Sequence, residues 1–126
     1  MPIVNVDDRS VEVPTGTRLA IAIQHAGVEI GHRCGGKARC TTCRVVVHEG
    51  VDEAMTRAEF VRLRDAGLLG SHRLSCQVLV ERDVRVESVM TKQSQGWPDT
   101  GPALDEHVIP EAAWYTREAL EAEQGA

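Results

Sequence analysis

Four cysteines are the residues of this sequence best suited to chemistry, and three of them share one short loop. The stretch HRCGGKARCTTCRVVV, residues 32–47, holds Cys34, Cys40 and Cys43, and the fourth, Cys76, follows far downstream in RLSCQV. Cysteine sulfur forms disulfides, binds metals or exchanges electrons with other thiols. The spacing, Cys-x5-Cys-x2-Cys and one distant cysteine, must decide among these roles.

Two disulfides are the first alternative, because an even number of cysteines is typical of a small secreted domain. The opening MPIVNV has no long apolar run and is followed by Asp7 and Asp8, which argues against a signal peptide. A chain of 126 residues, 42% of them hydrophobic, also buries a core without covalent staples. Disulfides are therefore disfavoured.

Structural zinc is the main rival, since Cys40-x2-Cys43 is half of a zinc knuckle. Cys76 has no second cysteine nearby, and His72 as a ligand would leave one cysteine surplus.

A thioredoxin-like pair is disfavoured because valines, not a helix, follow Cys43. His32 does not make a Rieske centre, since that class replaces two cysteines by two histidines.

A 2Fe–2S cluster accounts for the spacing, because it takes four thiolates that converge on one small volume. Gly35 and Gly36 directly follow the first cysteine, and glycine lets backbone N–H groups approach the sulfurs closely. Thr41 and Thr42 are candidate hydroxyl donors to sulfur, or ordinary residues at the start of a strand. The predicted ligands of one 2Fe–2S cluster are Cys34, Cys40, Cys43 and Cys76.

Basic side chains interleave with these cysteines. A 2Fe–2S centre with four thiolates carries about −2 when oxidised and about −3 when reduced. Nearby cations would favour the reduced state, unless they form only a solvated basic rim. The residues concerned are Arg33, Lys37, Arg39 and Arg44.

The whole arrangement resembles the 2Fe–2S ferredoxin family. Cys-Gly-Gly-x3-Cys-x2-Cys is followed by a hydrophobic strand, an acidic stretch, a helix and then Arg-Leu-Ser-Cys-Gln-Val. The plant-type pattern has four residues in the first gap, whereas this chain has five and is more similar to the adrenodoxin and bacterial branch. The resemblance covers residues 2–90. It implies that Cys34 and Cys40 hold the iron nearer the surface, and Cys43 and Cys76 the inner iron.

The elements that position the cysteines begin with a predicted hairpin. Residues 3–6 and 10–13 alternate apolar and polar side chains around a turn at Asp7 and Asp8. Thr17 is the predicted N-cap of a helix that ends near Ala26, before Gly27.

The second half of the core continues this pattern. Residues 44–49 predict a buried strand, and Thr56 with Glu59 predicts a capping box that opens a helix to about residue 65. Residues 74–80 predict a strand that points Cys76 toward the cluster, and residues 84–89 a last strand. The order ββαβαββ predicts an α+β fold, a ubiquitin-like and 2Fe–2S ferredoxin-like β-grasp with a mixed sheet, one main helix and short helices.

Composition changes after Met90, so we divide the chain into a 2Fe–2S ferredoxin-like domain, residues 1–90, and an acidic C-terminal extension, residues 91–126. The extension begins with a Pro/Gly-rich linker, and Pro110 is the predicted first residue of a helix through Glu123. Its aromatic side chains predict docking, on its own core in preference to a partner. They are Trp97, Trp114 and Tyr115.

Charge excludes some functions. Acidic and basic side chains balance in residues 1–90, and the net charge of −5 arises wholly in residues 91–126. No basic face is interleaved with aromatics, so nucleic-acid binding is not expected.

No apolar run reaches the ~20 residues of a membrane span, and iron-binding thiols favour the cytoplasm. The excess of arginine over lysine hints at a bacterial source.

The resemblance implies a ferredoxin reductase and an acceptor oxidoreductase as partners of a monomeric protein. In the adrenodoxin-like branch, carboxylates on the helix after the cluster loop contact these partners. Here the expected exposed positions of that helix are largely basic, so this mode of contact is in doubt; they are Arg57, Glu59, Arg62, Arg64 and Asp65. Asp52 and Glu53 are the nearest acidic substitutes, and contact through the extension is a further possibility.

The predicted function is one-electron transfer between a reductase and an acceptor through a single 2Fe–2S cluster. The sequence shows no nucleophile–base pair and no nucleotide loop, so we predict that the protein is not an enzyme. Two alternatives stay open: a cluster-containing redox sensor or assembly factor, and a four-cysteine zinc-stabilised interaction module.

Overall fold

The computed structural model describes residues 1–38 and 41–124. In chain order its elements are β1 (Ile3–Val6), β2 (Arg9–Glu12), β3 (Thr17–Arg18), α1 (Leu19–His25), β4 (Arg44–Glu49), α2 (Arg57–Asp65), β5 (Arg73–Leu74), a 3₁₀ helix (Ser75–Gln77), β6 (Leu79–Val80), β7 (Val84–Ser88), α3 (Lys92–Gln95) and α4 (Arg117–Gln124). The main sheet has the strand order β2-β1-β7-β4-β5, and β3 pairs with β6 in a small separate ribbon.

The main sheet is mixed. β1 runs parallel to β7, and its other neighbour, β2, forms the predicted hairpin with it. Alternation along β1 buries Val4 and Val6 on one face, against Leu19 and Ile23 of α1. This arrangement confirms the predicted mixed sheet with one helix packed on it. The predicted bounds of β4 are also confirmed, but of its three valines only Val45 is fully buried, and Val46 and Val47 are half-buried.

The start of α1 differs from the prediction. Thr17 pairs with Val80 in the small ribbon, and its hydroxyl donates to the carbonyl of Pro14 at 2.7 Å instead of capping a helix. The helix begins at Leu19, preceded by Arg18, whose side chain is fully buried. The predicted N-cap was therefore wrong, because the hydroxyl is used within the preceding turn.

The helix α2 begins as predicted, but one of its side chains points in an unexpected direction. The hydroxyl of Thr56 accepts a hydrogen bond from the backbone N–H of Glu59 at 3.2 Å, which confirms the N-cap. The Glu59 carboxylate does not complete a capping box; it points inward, is fully buried and pairs with Arg73. Glu59 was thus wrongly predicted as exposed, because an ion pair from a distant strand was invisible in the local pattern.

Cys76 does not lie on a continuous strand. The predicted strand over residues 74–80 is divided into β5 and β6 by the 3₁₀ helix that carries Cys76. The cysteine is still fully buried, as are Leu74 and Val80. The apolar pattern therefore predicted burial correctly and the backbone conformation wrongly.

The C-terminal extension forms less helix than predicted. Residues 111–116 are not helical; Tyr115 forms an isolated antiparallel bridge with Met55, and α4 begins only at Arg117. Pro110 is therefore not the first residue of a helix. Glu111 instead pairs with Arg57 at 3.0 Å, which holds this segment against α2.

The extension docks on the rest of the chain, as its aromatic residues predicted. The indole N–H of Trp114 donates to the carbonyl of Gln77 at 2.9 Å, and Arg57 stacks over the ring of Tyr115 at 4.8 Å. Leu120 of α4 is fully buried in an apolar cluster with Phe60 and Leu63. Within residues 1–38 and 41–124, no helix has the length and apolar character needed to cross a bilayer.

Candidate metal centre

Three of the four predicted ligands lie in the described residues, and the fourth, Cys40, lies outside them together with Arg39. Cys34 lies within a turn in which the backbone N–H of Gly35 donates to the carbonyl of His32 at 2.8 Å. Gly35 and Gly36 have φ of +73° and +81°. A side chain other than glycine would be strained at both positions, so the predicted role of the glycine pair in curling this loop is confirmed.

Cys43 and Cys76 meet in the interior. Cys43 is 1% exposed and Cys76 is 0% exposed, and Cys43 is the largest influence on the pKa of the Cys76 thiol. The interaction with the Cys43 side chain lowers the pKa of Cys76, whereas burial acts to raise it. Ser75 fixes the two residues relative to each other, because its hydroxyl and its backbone N–H both donate to the carbonyl of Cys43, at 2.7 and 3.2 Å.

Nitrogen donors point at the cysteine sulfurs. The backbone N–H of Lys37 donates to Sγ of Cys34 at 3.3 Å, and Nε2 of Gln77 lies 3.6 Å from Sγ of Cys76. The side chain of Gln77 and the backbone of Ala38 both act to lower the pKa of the Cys76 thiol. Such donors stabilise thiolate charge, which is what a cluster ligand carries.

This donor set fits a two-iron cluster. All three cysteines in the described part of the chain are present as thiols. No three His, Cys, Asp or Glu side chains within residues 1–38 and 41–124 are grouped around a single metal-ion position. A 2Fe–2S centre takes four thiolates shared between two irons; Cys43 and Cys76 lie together in the interior, and Cys34 is close enough to act on the pKa of Cys76.

The side chains around the loop have defined partners. The hydroxyl of Thr41 accepts from Arg44 at 3.0 Å, and that of Thr42 accepts from the backbone N–H of Arg33 at 3.0 Å. Hydroxyl donation from these threonines to sulfur stays a prediction. The guanidinium of Arg33 pairs with Asp99 at 3.6 Å at the surface.

His32 is buried beside the loop but bonds to protein. Its Nε2 lies 2.8 Å from Nε2 of Gln24. Burial lowers its pKa, and the backbone of Pro102 acts in the opposite direction. Its Nδ1 is buried without a hydrogen-bond partner among the described residues. That His32 does not form a Rieske centre stays a prediction.

Two buried polar groups near the cysteines were missed at the sequence level. Glu59 accepts from the side chain of Arg73 through both carboxylate oxygens, at 2.7 and 3.0 Å, and from the backbone N–H of Leu74 at 2.9 Å. Arg18 donates to the carbonyl of Cys76. Arg18 lies in β3 directly before α1, and no local sequence pattern indicated its burial.

The C-terminal extension covers the loop that carries Cys34. The backbone N–H of His32 donates to the carbonyl of Thr100 at 2.8 Å, and Gly101 lies so close that an added Cβ would collide with the carbonyl oxygen of His32. Farther along, Pro102 lies against Gly35 and Leu104 against Gly36. Both glycines of the loop are consequently buried.

The part of the chain that carries the cysteines matches a known protein family. The family model of the 2Fe-2S iron-sulfur cluster binding domain covers residues 3–81. The chain belongs to this family. The match includes all four cysteines, and it confirms the resemblance that their spacing suggested.

A 2Fe-2S ferredoxin of Haemophilus influenzae is 42% identical over 81 residues, which are 61% of this chain and 72% of that protein. One component of the Na(+)-translocating NADH-quinone reductase of Idiomarina loihiensis is 36% identical over 82 residues, 64% of this chain but only 20% of that protein. Among solved structures, the ISC-like [2Fe-2S] ferredoxin of Pseudomonas putida JCM 20004 has a TM-score of 0.56 and 34% identity, covering 69% of this chain and 91% of that one.

These similarities establish three features. The fold is the β-grasp of the 2Fe–2S ferredoxins, the cofactor is a single 2Fe–2S cluster, and the protein is a ferredoxin-type electron carrier. A zinc-stabilised module is therefore excluded as the function of this domain. When bound, the cluster supplies one-electron redox chemistry. The chain supplies thiolates, hydrogen bonds to sulfur and exclusion of water from the inner pair.

Proposed function

We propose that this protein passes single electrons from a ferredoxin reductase to an acceptor oxidoreductase, and that Cys34, Cys40, Cys43 and Cys76 ligate its cluster. The observation that carries the ligand assignment is the buried pair of Cys43 and Cys76, which Ser75 ties together through its two hydrogen bonds to the carbonyl of Cys43. Cys34 and Cys40 then belong to the outer iron. The domain formed by residues 1–90 carries the electron, and the protein has no catalytic turnover of its own.

The ligand assignment is tested by replacing each cysteine with serine in the full chain. After anaerobic reconstitution, we expect two irons and two sulfides in the parent protein, and visible absorption that bleaches with dithionite. Each of the four variants should lose at least half of the iron or show a changed spectrum. Because the chain has no fifth cysteine, Ala119→Ser on the exposed side of α4 is the control. A variant such as Cys76→Ser with an unchanged spectrum would remove that residue from the ligand set.

We further propose that the partner contacts the basic edge of the loop. Lys37 is exposed and lines a groove of about 380 Å³ between the loop, α2 and the extension, together with Val61 and Arg62. A partner with carboxylates at its docking face would be attracted here. This is opposite in sign to the acidic contact that the adrenodoxin-like resemblance implies.

Reversing one charge tests this docking face. Lys37→Glu should lower the second-order rate of reduction by a reductase that accepts the parent protein, with the difference shrinking as salt rises. Arg82→Glu makes the same change of charge at an exposed position between β6 and β7, and should leave the rate near that of the parent protein. Equal losses in both variants would count against a localised basic face.

A redox-sensing role is the second candidate, because the extension touches the cluster loop directly through Thr100 and Gly101. Removal of residues 91–126 separates the two functions. After truncation, an electron carrier still exchanges electrons with a generic reductase. A sensor that works through redox-dependent contacts of residues 91–126 loses those contacts and no longer signals the redox state. Residence in the cytoplasm belongs to the same proposal, since the ligand thiols must stay reduced to take up iron.

A further inference from the structure

Arg18 is a fully buried arginine next to the cluster site. Its Nε and one terminal nitrogen donate to the carbonyl oxygen of Cys76 at 3.0 and 2.6 Å. The same terminal nitrogen donates to the carbonyl of Gly36 at 2.9 Å, and the other donates to that of Asp105 at 2.5 Å. One guanidinium thus joins an inner ligand, the cluster loop and the C-terminal extension.

The charge of Arg18 has no carboxylate partner among the residues that the structure describes. Each of its hydrogen bonds ends on a backbone carbonyl, and the carboxylate of Asp105 instead accepts from the backbone N–H of His107 at 2.8 Å. Arg73, a second arginine near the site, is by contrast paired with Glu59. Burying an ion without a counter-charge is strongly unfavourable, so such a group calls for a negative partner.

We propose that the cluster is this partner, and that Arg18 is a positioning residue whose buried charge raises the reduction potential. This inference rests on the proposed ligation by Cys76. A cluster with four thiolates is anionic in both redox states and gains one more negative charge on reduction. A fixed cation nearby therefore stabilises the reduced form more than the oxidised form.

Two properties make Arg18 suited to this role. A guanidinium keeps its charge in proteins, so the effect does not vary with pH in the working range. Complete burial also removes most screening by salt, unlike the exposed Arg33 and Lys37 of the same region. The reduction potential thus depends on a buried charge that lies next to Cys76, on the side of the inner iron.

The test compares Arg18→Gln and Arg18→Lys in the full, reconstituted protein. Iron and sulfide content and the visible spectrum are measured first, and anaerobic redox titration follows. At a fixed ambient potential, Arg18→Gln should lower the ratio of reduced to oxidised cluster at least tenfold, about 59 mV for one electron. Arg18→Lys, which keeps the charge but not the fork of donors, should stay within about threefold of the parent protein.

Arg85→Gln is the matched control, since it removes one positive charge from an exposed residue of β7 that pairs with Glu49. It should leave the ratio unchanged at moderate salt. The tenfold difference in the ratio of reduced to oxidised cluster between Arg18→Gln and the parent protein should persist at high salt. An Arg18→Gln protein with intact cluster and unchanged potential would overturn the proposal, and so would equal shifts in the Gln and Lys variants, which would assign the effect to hydrogen bonding.

A second measurement covers a variant that fails to hold the cluster. The free energy of unfolding is determined for the cluster-free forms, and cluster retention is compared among the variants. If Arg18→Gln folds without the cluster but no longer binds it, and Arg18→Lys does bind it, the result supports the proposal that the positive charge of residue 18 is the partner of the cluster. If both variants fail to bind the cluster, the proposal is overturned. Failure of the parent protein to bind a cluster would instead refute the proposed function.

Discussion

Glu59 and Arg73 form a bidentate ion pair that fastens α2 to the strand leading into Cys76. The paired nitrogen and oxygen atoms lie 2.7 and 3.0 Å apart, Glu59 is fully buried, and the side chain of Arg73 is 12% exposed. Arg73 also donates to the carbonyls of Asp52 and Ala54, at 2.5 and 3.0 Å. The pair therefore holds three segments of the chain around one inner cysteine.

Breaking this pair should be costly. Glu59→Gln keeps the shape of the side chain but leaves the charge of Arg73 without its partner, so we expect a loss of about 3–5 kcal/mol in the free energy of unfolding. Urea denaturation of the reconstituted protein measures it. Glu49→Gln, at an exposed pair with Arg85, should cost less than about 1 kcal/mol. If both variants lose a similar free energy of unfolding, the buried Glu59–Arg73 pair stabilises the fold no more than an exposed pair does.

The contact between the extension and the cluster loop depends on Gly101. Its φ is +124°, and an added Cβ would collide with the carbonyl of His32. Gly101→Ala should therefore loosen the extension from the loop and shift the fluorescence of Trp97, which packs on Gly31, to longer wavelength. Red-shifted emission and faster limited proteolysis near residue 100 are the expected results.

Gly96→Ala is the control for that experiment. Gly96 also has a positive φ, +68°, but an added Cβ there meets nothing within 4 Å. The substitution should cost only the backbone strain, about 1 kcal/mol, with little change in fluorescence. Equal effects of the two alanines would attribute the change to backbone conformation and not to the close contact.

Leu120 should anchor α4 to the core. It is fully buried against Phe60 and Leu63 of α2, so Leu120→Ala should reduce the free energy of unfolding by about 2–5 kcal/mol. Glu121→Ala, its exposed neighbour, removes only a surface pair with Arg117 and should cost about 0.2–0.5 kcal/mol. If the leucine variant unfolds at the same urea concentration as the parent protein, α4 contributes nothing to the stability of the domain.

Removing the cluster should destabilise the protein. The cluster binds the folded chain and not the unfolded one, so its loss shifts the equilibrium toward unfolding. We expect the midpoint of thermal unfolding, followed by circular dichroism, to fall by several degrees after iron is chelated. An unchanged midpoint would mean that the cysteine loop is held by the protein alone.

Local patterns were sufficient for the elements whose side chains alternate regularly. The hairpin of β1 and β2 was predicted from period-two alternation, β4 from its run of valines and the start of α2 from the Thr56 hydroxyl, because each of these signals acts within a few residues. The role of Gly35 and Gly36 was also predictable, since their positive φ follows from the tight loop.

The errors lie where a distant segment overrides the local pattern. Glu59 was predicted as exposed, but Arg73 draws it inward. Thr17 pairs with Val80 in the small ribbon instead of capping a helix, and Cys76 lies in a 3₁₀ helix instead of a strand. The proposed role of Arg18 depends on carbonyls that are 18 to 87 positions away. No single stretch of sequence could reveal such contacts, because each depends on the three-dimensional arrangement of the others.

The amide of Gln77 has a consequence for biosynthesis. Its nitrogen donates to the carbonyl of Ile109 at 2.7 Å, and its oxygen accepts from the Thr56 hydroxyl at 2.7 Å, immediately beside Cys76. A ribosome delivers Ile109 well after all four cysteines. The extension can therefore complete the wall behind the inner sulfur pair only after the cysteine-bearing part of the chain has been made.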